Sequence, residues 1–92
     1  MKYGVIRTTR FKREYKIMQK RGENMALLNH VIELLSQGNP LPEKYRDHWL
    51  TGDYKGFREC HVKPDWLLVY RIEKNILVLT LTRTGTHSDL GF

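Results

Sequence analysis

The sequence predicts an α+β domain, with a helical hairpin lying on one face of an antiparallel-rich sheet. Two observations carry that prediction. In the first half, two segments repeat apolar residues at helical spacing and are separated only by a short break at Gly22. In the second half, three strand-like runs follow one another across tight turns, an arrangement that makes antiparallel neighbours. The chain has 92 residues, enough for a single domain over 1–92 but not for two independent cores.

Each element has its own local reason. Residues 3–8 mix apolar and β-branched side chains and read as a first strand. Thr8 or Thr9 then caps a helix on which Phe11, Tyr15 and Met18 share a face, with Lys12, Arg13, Lys16 and Lys20 elsewhere on its surface. Gly22 ends it. A second helix over 24–37 carries a stripe of Met25, Leu28, Ile32 and Leu35, and Gly38 and Pro40 stop it. Residues 39–56 have no periodicity and read as a long loop, kept ordered by Tyr45, Trp49 and Tyr54. Strands follow over 57–62, 66–72 and 76–83, with turns at Lys63-Pro64-Asp65 and Glu73-Lys74-Asn75. The last two are rich in Val, Ile and Leu and belong at the sheet centre. A short polar tail ends at Phe92. The helices cover one face and leave the other for a ligand.

Composition narrows the function classes. No apolar run reaches the ~20 residues of a membrane helix, and the N-terminus lacks a basic stretch followed by an apolar core. One cysteine, Cys60, allows neither an internal disulfide nor a multi-cysteine zinc site, so a reduced, cytoplasmic setting is expected. The net charge of +6 is concentrated. Residues 1–21 hold eight basic side chains and one acid, whereas 22–92 hold eight basic and nine acidic ones. A positive face of that density suits nucleic acid or an acidic protein partner, with Lys12, Arg13 and Lys16 at its centre. Its bland counterpart is a solvated helix surface.

Three of the four histidines, His48, His61 and His87, fall in the loop, at a strand end and just past the last strand. Such positions converge at one rim of a sheet, near Asp65, Arg71 and Arg83, where they suit general acid/base chemistry. His30, inside the second helix, reads as a helix-surface or core-edge residue. The spacing of the three histidines matches no short metal motif, so no metal and no cofactor is expected. Cys60 and His61 are adjacent in a strand and point to opposite faces, so Cys60 reads as packing. A basic, histidine-bearing, metal-free protein fits RNA cleavage, in which the 2′-hydroxyl is the nucleophile and the protein moves protons.

The stretch from His48 to Tyr70 follows the pattern H-x-L-x-G-x-Y-x-G-x-R-x-x-H-V-x-P-D-W-x-L-x-Y. With the tail Arg83-Thr84-Gly85-Thr86-His87, it resembles the YafQ-type mRNA interferase toxins of the RelE superfamily, and the order of elements agrees over nearly the whole chain. The resemblance implies a RelE-like fold and a ribosome-dependent endoribonuclease that cuts mRNA in the 30S decoding site. It implies a cognate antitoxin of ribbon-helix-helix type, contact with operator DNA only through the toxin-antitoxin complex, and no membrane partner. Carried over by position, it makes His48, His61, Asp65 and His87 catalytic, with Trp66, Arg83 and Phe92 contacting substrate. Arg83 is expected on the phosphate. One position departs from the family pattern: Gly91 separates Leu90 from Phe92, where the final phenylalanine otherwise follows the leucine directly. The alternative reading is a non-catalytic module of the same fold whose basic helix binds RNA or an antitoxin.

Overall fold

The computed structural model describes residues 2–92. Strand β1 (Gly4–Arg7) leads into the hairpin of α1 (Thr9–Lys20) and α2 (Met25–Ser36). Then come β2 (His48–Trp49), β3 (Arg58–Lys63), β4 (Trp66–Glu73), β5 (Val78–Gly85) and a four-residue helix α3 (His87–Leu90). The five strands form one sheet in the order β1-β5-β4-β3-β2. Every neighbouring pair is antiparallel except β1 and β5, which run parallel. The α+β class, the hairpin and the central place of β4 and β5 are as the sequence predicts.

The helix ends show why these residues fold locally as they do. Thr8 Oγ1 accepts the Phe11 N–H at 3.0 Å and donates to the Thr82 carbonyl at 2.9 Å, so one hydroxyl caps α1 and ties it to β5. At the other end Gly22 adopts φ +85°, a left-handed conformation that any Cβ would strain. The Gly22 and Glu23 N–H groups then donate back to Gln19 and Met18, closing the helix and reversing the chain into α2. The main core lies between hairpin and sheet: Phe11, Met18, Leu28, Val31 and Leu35 meet Cys60, Leu68, Tyr70, Leu79 and Leu81. Cys60 is therefore packing, as expected, and burial pushes its thiol well up.

Three features depart from the sequence reading. The loop over 39–56 contains strand β2 and two single 3₁₀ turns, Glu43–Tyr45 and Gly52–Tyr54. The polar tail forms α3, built by a capping box in which Thr86 and Asp89 satisfy each other's backbone N–H groups. The second sheet face is not left open. Leu50, Tyr54 and Phe57 from the loop, with Leu90 of α3, pack over Leu67 and Val69. What remains exposed is a rim where β2, the β3–β4 turn and α3 meet.

Candidate active site

Strand pairing assembles the rim. His48 on β2 sits directly opposite Glu59 on β3, so their side chains share a sheet face. His61 lies two residues beyond Glu59 and returns to that face by strand alternation. The β3–β4 register shifts between His61 and Lys63, and such a bulge re-aims side chains at a sheet end. His87 opens α3. The result is a row of imidazoles, with ring centres 6.2 Å apart for His48 and His61 and 5.7 Å apart for His61 and His87.

Each ring is held by one nitrogen. Nδ1 of His48 lies 2.8 Å from the Arg46 carbonyl, and Nδ1 of His61 lies 3.3 Å from the Pro64 carbonyl. A carbonyl can only accept, so in both rings Nδ1 carries the proton and Nε2 is left to act. His87 is held more tightly. Its Nδ1 lies 2.6 Å from Asp65 Oδ1, and its backbone N–H donates to the same oxygen at 2.9 Å. Those two His87 donors, the backbone one first, hold the Asp65 carboxyl below the usual carboxylate range. An ionised Asp65 fixing Nδ1 is the orientation a general acid or base requires of its imidazole.

The support beneath the row is ionic. Asp47 accepts from Arg58 Nε and Nη2, the latter at 2.8 Å, and from the Tyr70 hydroxyl at 2.5 Å. Burial and Asp47 together raise the Tyr70 phenol. Asp47 precedes His48 and so anchors β2. Asp47→Ala strands Arg58 and the phenol together. A loss of about 3 kcal/mol of stability is expected, at 1.5–3 kcal/mol per hydrogen bond to a charged group. It should appear as a lower urea midpoint with an unchanged m-value. Arg21 performs the same service for α3, donating to both Asp89 oxygens at 2.6 and 3.0 Å. Arg21 and the Thr86 backbone hold Asp89 ionised far below its normal range.

The structure brings His48, His61, Asp65 and His87 together at one rim, but it relocates two of the residues assigned to substrate. Trp66 is 1% exposed, within the core cluster beneath the hairpin, and its Nε1–H donates to Thr84 Oγ1 at 2.9 Å. No base can stack on it. Arg83 is 6% exposed, with Nη2 2.7 Å from Glu14 Oε2 and Nε on the same carboxylate. Glu14, not a phosphate, occupies its guanidinium. Arg71 stands over the Phe57 ring at 5.6 Å rather than beside the histidines. Phe92 is half-exposed: left-handed Gly91 turns the chain end so that its ring packs edge-on against Tyr54 at 5.4 Å. Lys12, Arg13 and Lys16 are exposed along α1.

Two contributors were not singled out in the sequence. Glu59, buried beneath the rim, has Oε1 3.5 Å from His48 Nε2 and 3.7 Å from His61 Nε2. The signal for it was its place two residues before His61 on one strand face. The other is a cleft of about 580 Å³ beside His61 and His87, with Lys44, Arg46 and Lys63 around its mouth. A polyanion's phosphates would find cations there and imidazoles at the wall.

Known proteins share both the sequence and the shape. The family model for YafQ, a bacterial toxin of type II toxin-antitoxin systems, matches residues 3–91. The mRNA interferase toxin YafQ of Escherichia coli K12 is 41% identical over 81 residues, 87% of this chain and 86% of the relative. The toxin in the crystal structure of the E. coli DinJ-YafQ toxin-antitoxin complex superposes with TM-score 0.89 at 36% identity, covering 98% of both chains. A metal-bound toxin from Helicobacter pylori superposes with TM-score 0.89 at 44% identity, covering 98% of this chain and 99% of that one.

Proposed function

The chain belongs to the YafQ family of bacterial type II toxins, and from that premise we propose that it is an mRNA endoribonuclease working on the ribosome. The observation that carries the reading is the row of three imidazoles, each pinned through Nδ1, two of which, His61 and His87, line a cleft that Lys44, Arg46 and Lys63 also line. Cleavage needs one group to take the proton of a 2′-hydroxyl and another to give a proton to the leaving 5′-oxygen. The 2′-oxygen attacks phosphorus, the P–O5′ bond breaks, and a 2′,3′-cyclic phosphate is left upstream. His87 oriented by Asp65 suits one proton transfer and His61 the other. With Arg83 engaged by Glu14, the reading assigns the phosphate to Lys44 and Arg46, which line the cleft, and the stacking role to half-exposed Phe92 instead of buried Trp66. The chemistry requires no metal at the site, so a zinc-selective chelator that leaves ribosomal Mg²⁺ in place should not change the rate.

The partners follow from the same reading. The ribosomal decoding site and its mRNA engage the basic face, and a cognate antitoxin of ribbon-helix-helix type neutralises the toxin. Operator DNA is reached only through that pair, and the site of action is cytoplasmic. Among the described residues no helix is long and apolar enough to cross a membrane. Expressed without antitoxin, the chain should arrest growth and translation, while His87→Ala should not. Harmless wild-type protein, shown to be soluble, refutes the toxin reading. Growth arrest that persists in His87→Ala without mRNA cleavage makes the chain a binding module instead.

The basic face has a separate readout. Lys12, Arg13 and Lys16, exposed on α1, should each neutralise up to one phosphate. Reversing them to Glu should weaken ribosome binding and flatten the log-log salt slope by roughly one unit per lost contact. The urea midpoint should barely move, since exposed charges are worth only tenths of a kcal/mol.

A further inference from the structure

We propose that Trp49 is a stacking platform for one base of the mRNA strand, on a nucleotide that flanks the scissile bond. This site rests on the ribonuclease reading above, which assigns stacking to Phe92 alone.

The indole is open to solvent and yet held in place. Trp49 is 64% exposed, more than any other large apolar side chain among the described residues. Its cross-strand partner Arg58 sets its guanidinium carbon 4.5 Å from the ring centre. That guanidinium is itself pinned, because Nε and Nη2 donate to Asp47 at 3.1 and 2.8 Å. Asp47 is fixed in turn by the Tyr70 hydroxyl. The cation covers one face of the indole and leaves the opposite face to solvent. A flat ring already ordered, with one face free, is what base stacking requires, and little side-chain entropy is left to lose on binding.

Its position relates it to the chemistry. Strand alternation sends His48 and Trp49 to opposite sides of β2, which forms the outer edge of the sheet. One extended RNA strand can lap over that edge and meet both side chains. His48 stands at one end of the imidazole row and His87 at the other. Each end continues into an exposed ring: Trp49 follows His48, and the Phe92 N–H donates to the His87 carbonyl at 3.2 Å. A strand with its scissile phosphate at the row therefore has a ring for a base on either side.

The surroundings favour nucleic acid as the occupant. Trp49, Arg58 and Lys74 line one groove of about 480 Å³. Asp47 answers the charge of Arg58, whereas Lys74 has no ion-pair partner among the described residues and is free to meet a phosphate. A base is favoured over a protein side chain by the neighbour, since the substrate must approach His48 to be cut. Position 49 is also an open x in the family's H-x-L pattern, so the platform belongs to this chain and not to the shared machinery.

The test measures affinity for ribosomes programmed with an mRNA whose scissile nucleotide carries a 2′-deoxyribose, which blocks cleavage. Trp49→Ala should bind about 5- to 150-fold more weakly, the span for one stacked base, and Trp49→Phe should recover most of the loss. Trp49→Leu keeps apolar packing on Arg58 without a planar face, so it should bind like Trp49→Ala. Circular dichroism checks that each variant is folded, and the Phe and Leu variants decide between them should the alanine variant misfold. An abasic nucleotide at one position beside the scissile bond should weaken wild type by a similar factor and Trp49→Ala hardly at all. Losses that add at every abasic position overturn the platform, because the ring then acts without a base. Unchanged ribosome affinity in Trp49→Ala also overturns it, and a loss of antitoxin affinity in that variant would make the ring a protein contact. Wild type that leaves unmodified mRNA uncut on the same ribosomes refutes the ribonuclease reading, and the platform falls with it. Wild type that cuts, beside a Trp49→Ala of equal affinity, refutes the platform alone.

Discussion

Alanine at His87 or at His61 lowers the single-turnover rate of mRNA cleavage by about 10²-fold or more, the scale of a lost general acid or base. That corresponds to about 2.7 kcal/mol of transition-state stabilisation. The two differ in what sustains them. His87 draws its orientation from a carboxylate, so Asp65→Asn should reproduce part of the His87→Ala loss: an amide can present its NH₂ to Nδ1 and favour the wrong tautomer. His61 depends on the Pro64 carbonyl, which no side-chain substitution removes. The double variant His61→Ala/His87→Ala should fall well short of the product of the single losses, because both groups serve one transition state. Single-turnover kinetics on programmed ribosomes distinguish this from weakened binding. A variant that changes only the concentration needed for half-maximal rate is not an acid or base.

The pH dependence has a sign that can be worked out for Asp65. Its carboxyl is held below the usual carboxylate range by the His87 backbone and ring. A group whose folded value is depressed stabilises the fold fully above its unfolded value, near 4, and loses that contribution only as pH falls through the folded value. Between pH 5 and 8 Asp65 therefore stays ionised and His87 stays oriented. Any change in cleavage rate over that interval belongs to other groups, and Asp65→Asn should shift the level of the rate profile without creating a new limb there.

How far the sequence reaches can be judged residue by residue. The hairpin was legible because Thr8, Gly22 and Gly38 mark its ends and the apolar stripes mark its buried face. Strand β2 was not, because two residues carry no pattern. It exists through Asp47, whose partners Arg58 and Tyr70 lie 11 and 23 residues away. Helix α3 has four residues and no stripe, although Thr86 and Asp89 stand at capping-box spacing. The parallel pairing of β1 with β5 joins chain segments more than 70 residues apart, beyond any local signal. At the rim, the four catalytic candidates were visible as residue types at chain ends. Glu59 was not, since an acid between Arg58 and Cys60 reads as a solvated strand residue until its cross-strand partner is known.

Trp66→Ala removes 3–5 kcal/mol of stability, the range for deleting a large buried aromatic, and not the 1–3 kcal/mol of binding energy that a base-stacking surface would carry. Alternation along β4 explains the difference. Trp66, Leu68 and Tyr70 face the helices, while Leu67 and Val69 face the loop and α3. The indole N–H also completes a chain in which Thr84 Oγ1 donates to the Leu67 carbonyl at 2.8 Å, tying β5 to β4 beneath the rim. Against a typical total of 5–15 kcal/mol, the alanine variant should be partly unfolded or aggregation-prone, so a loss of activity there says nothing about RNA. Trp66→Phe separates the two roles. It keeps most of the apolar volume and gives up one donor, at about 1–2 kcal/mol, which urea denaturation can measure. Per folded molecule, its affinity for programmed ribosomes should match wild type. Phe92→Ala should behave in the opposite way, leaving the urea midpoint nearly unchanged and weakening substrate binding, because its ring is 46% exposed and rests on Tyr54 alone among the described aromatic contacts. If Trp66→Phe folds normally and yet loses RNA affinity, the indole must leave the core to meet the substrate, and its buried position is not the one the ribosome sees.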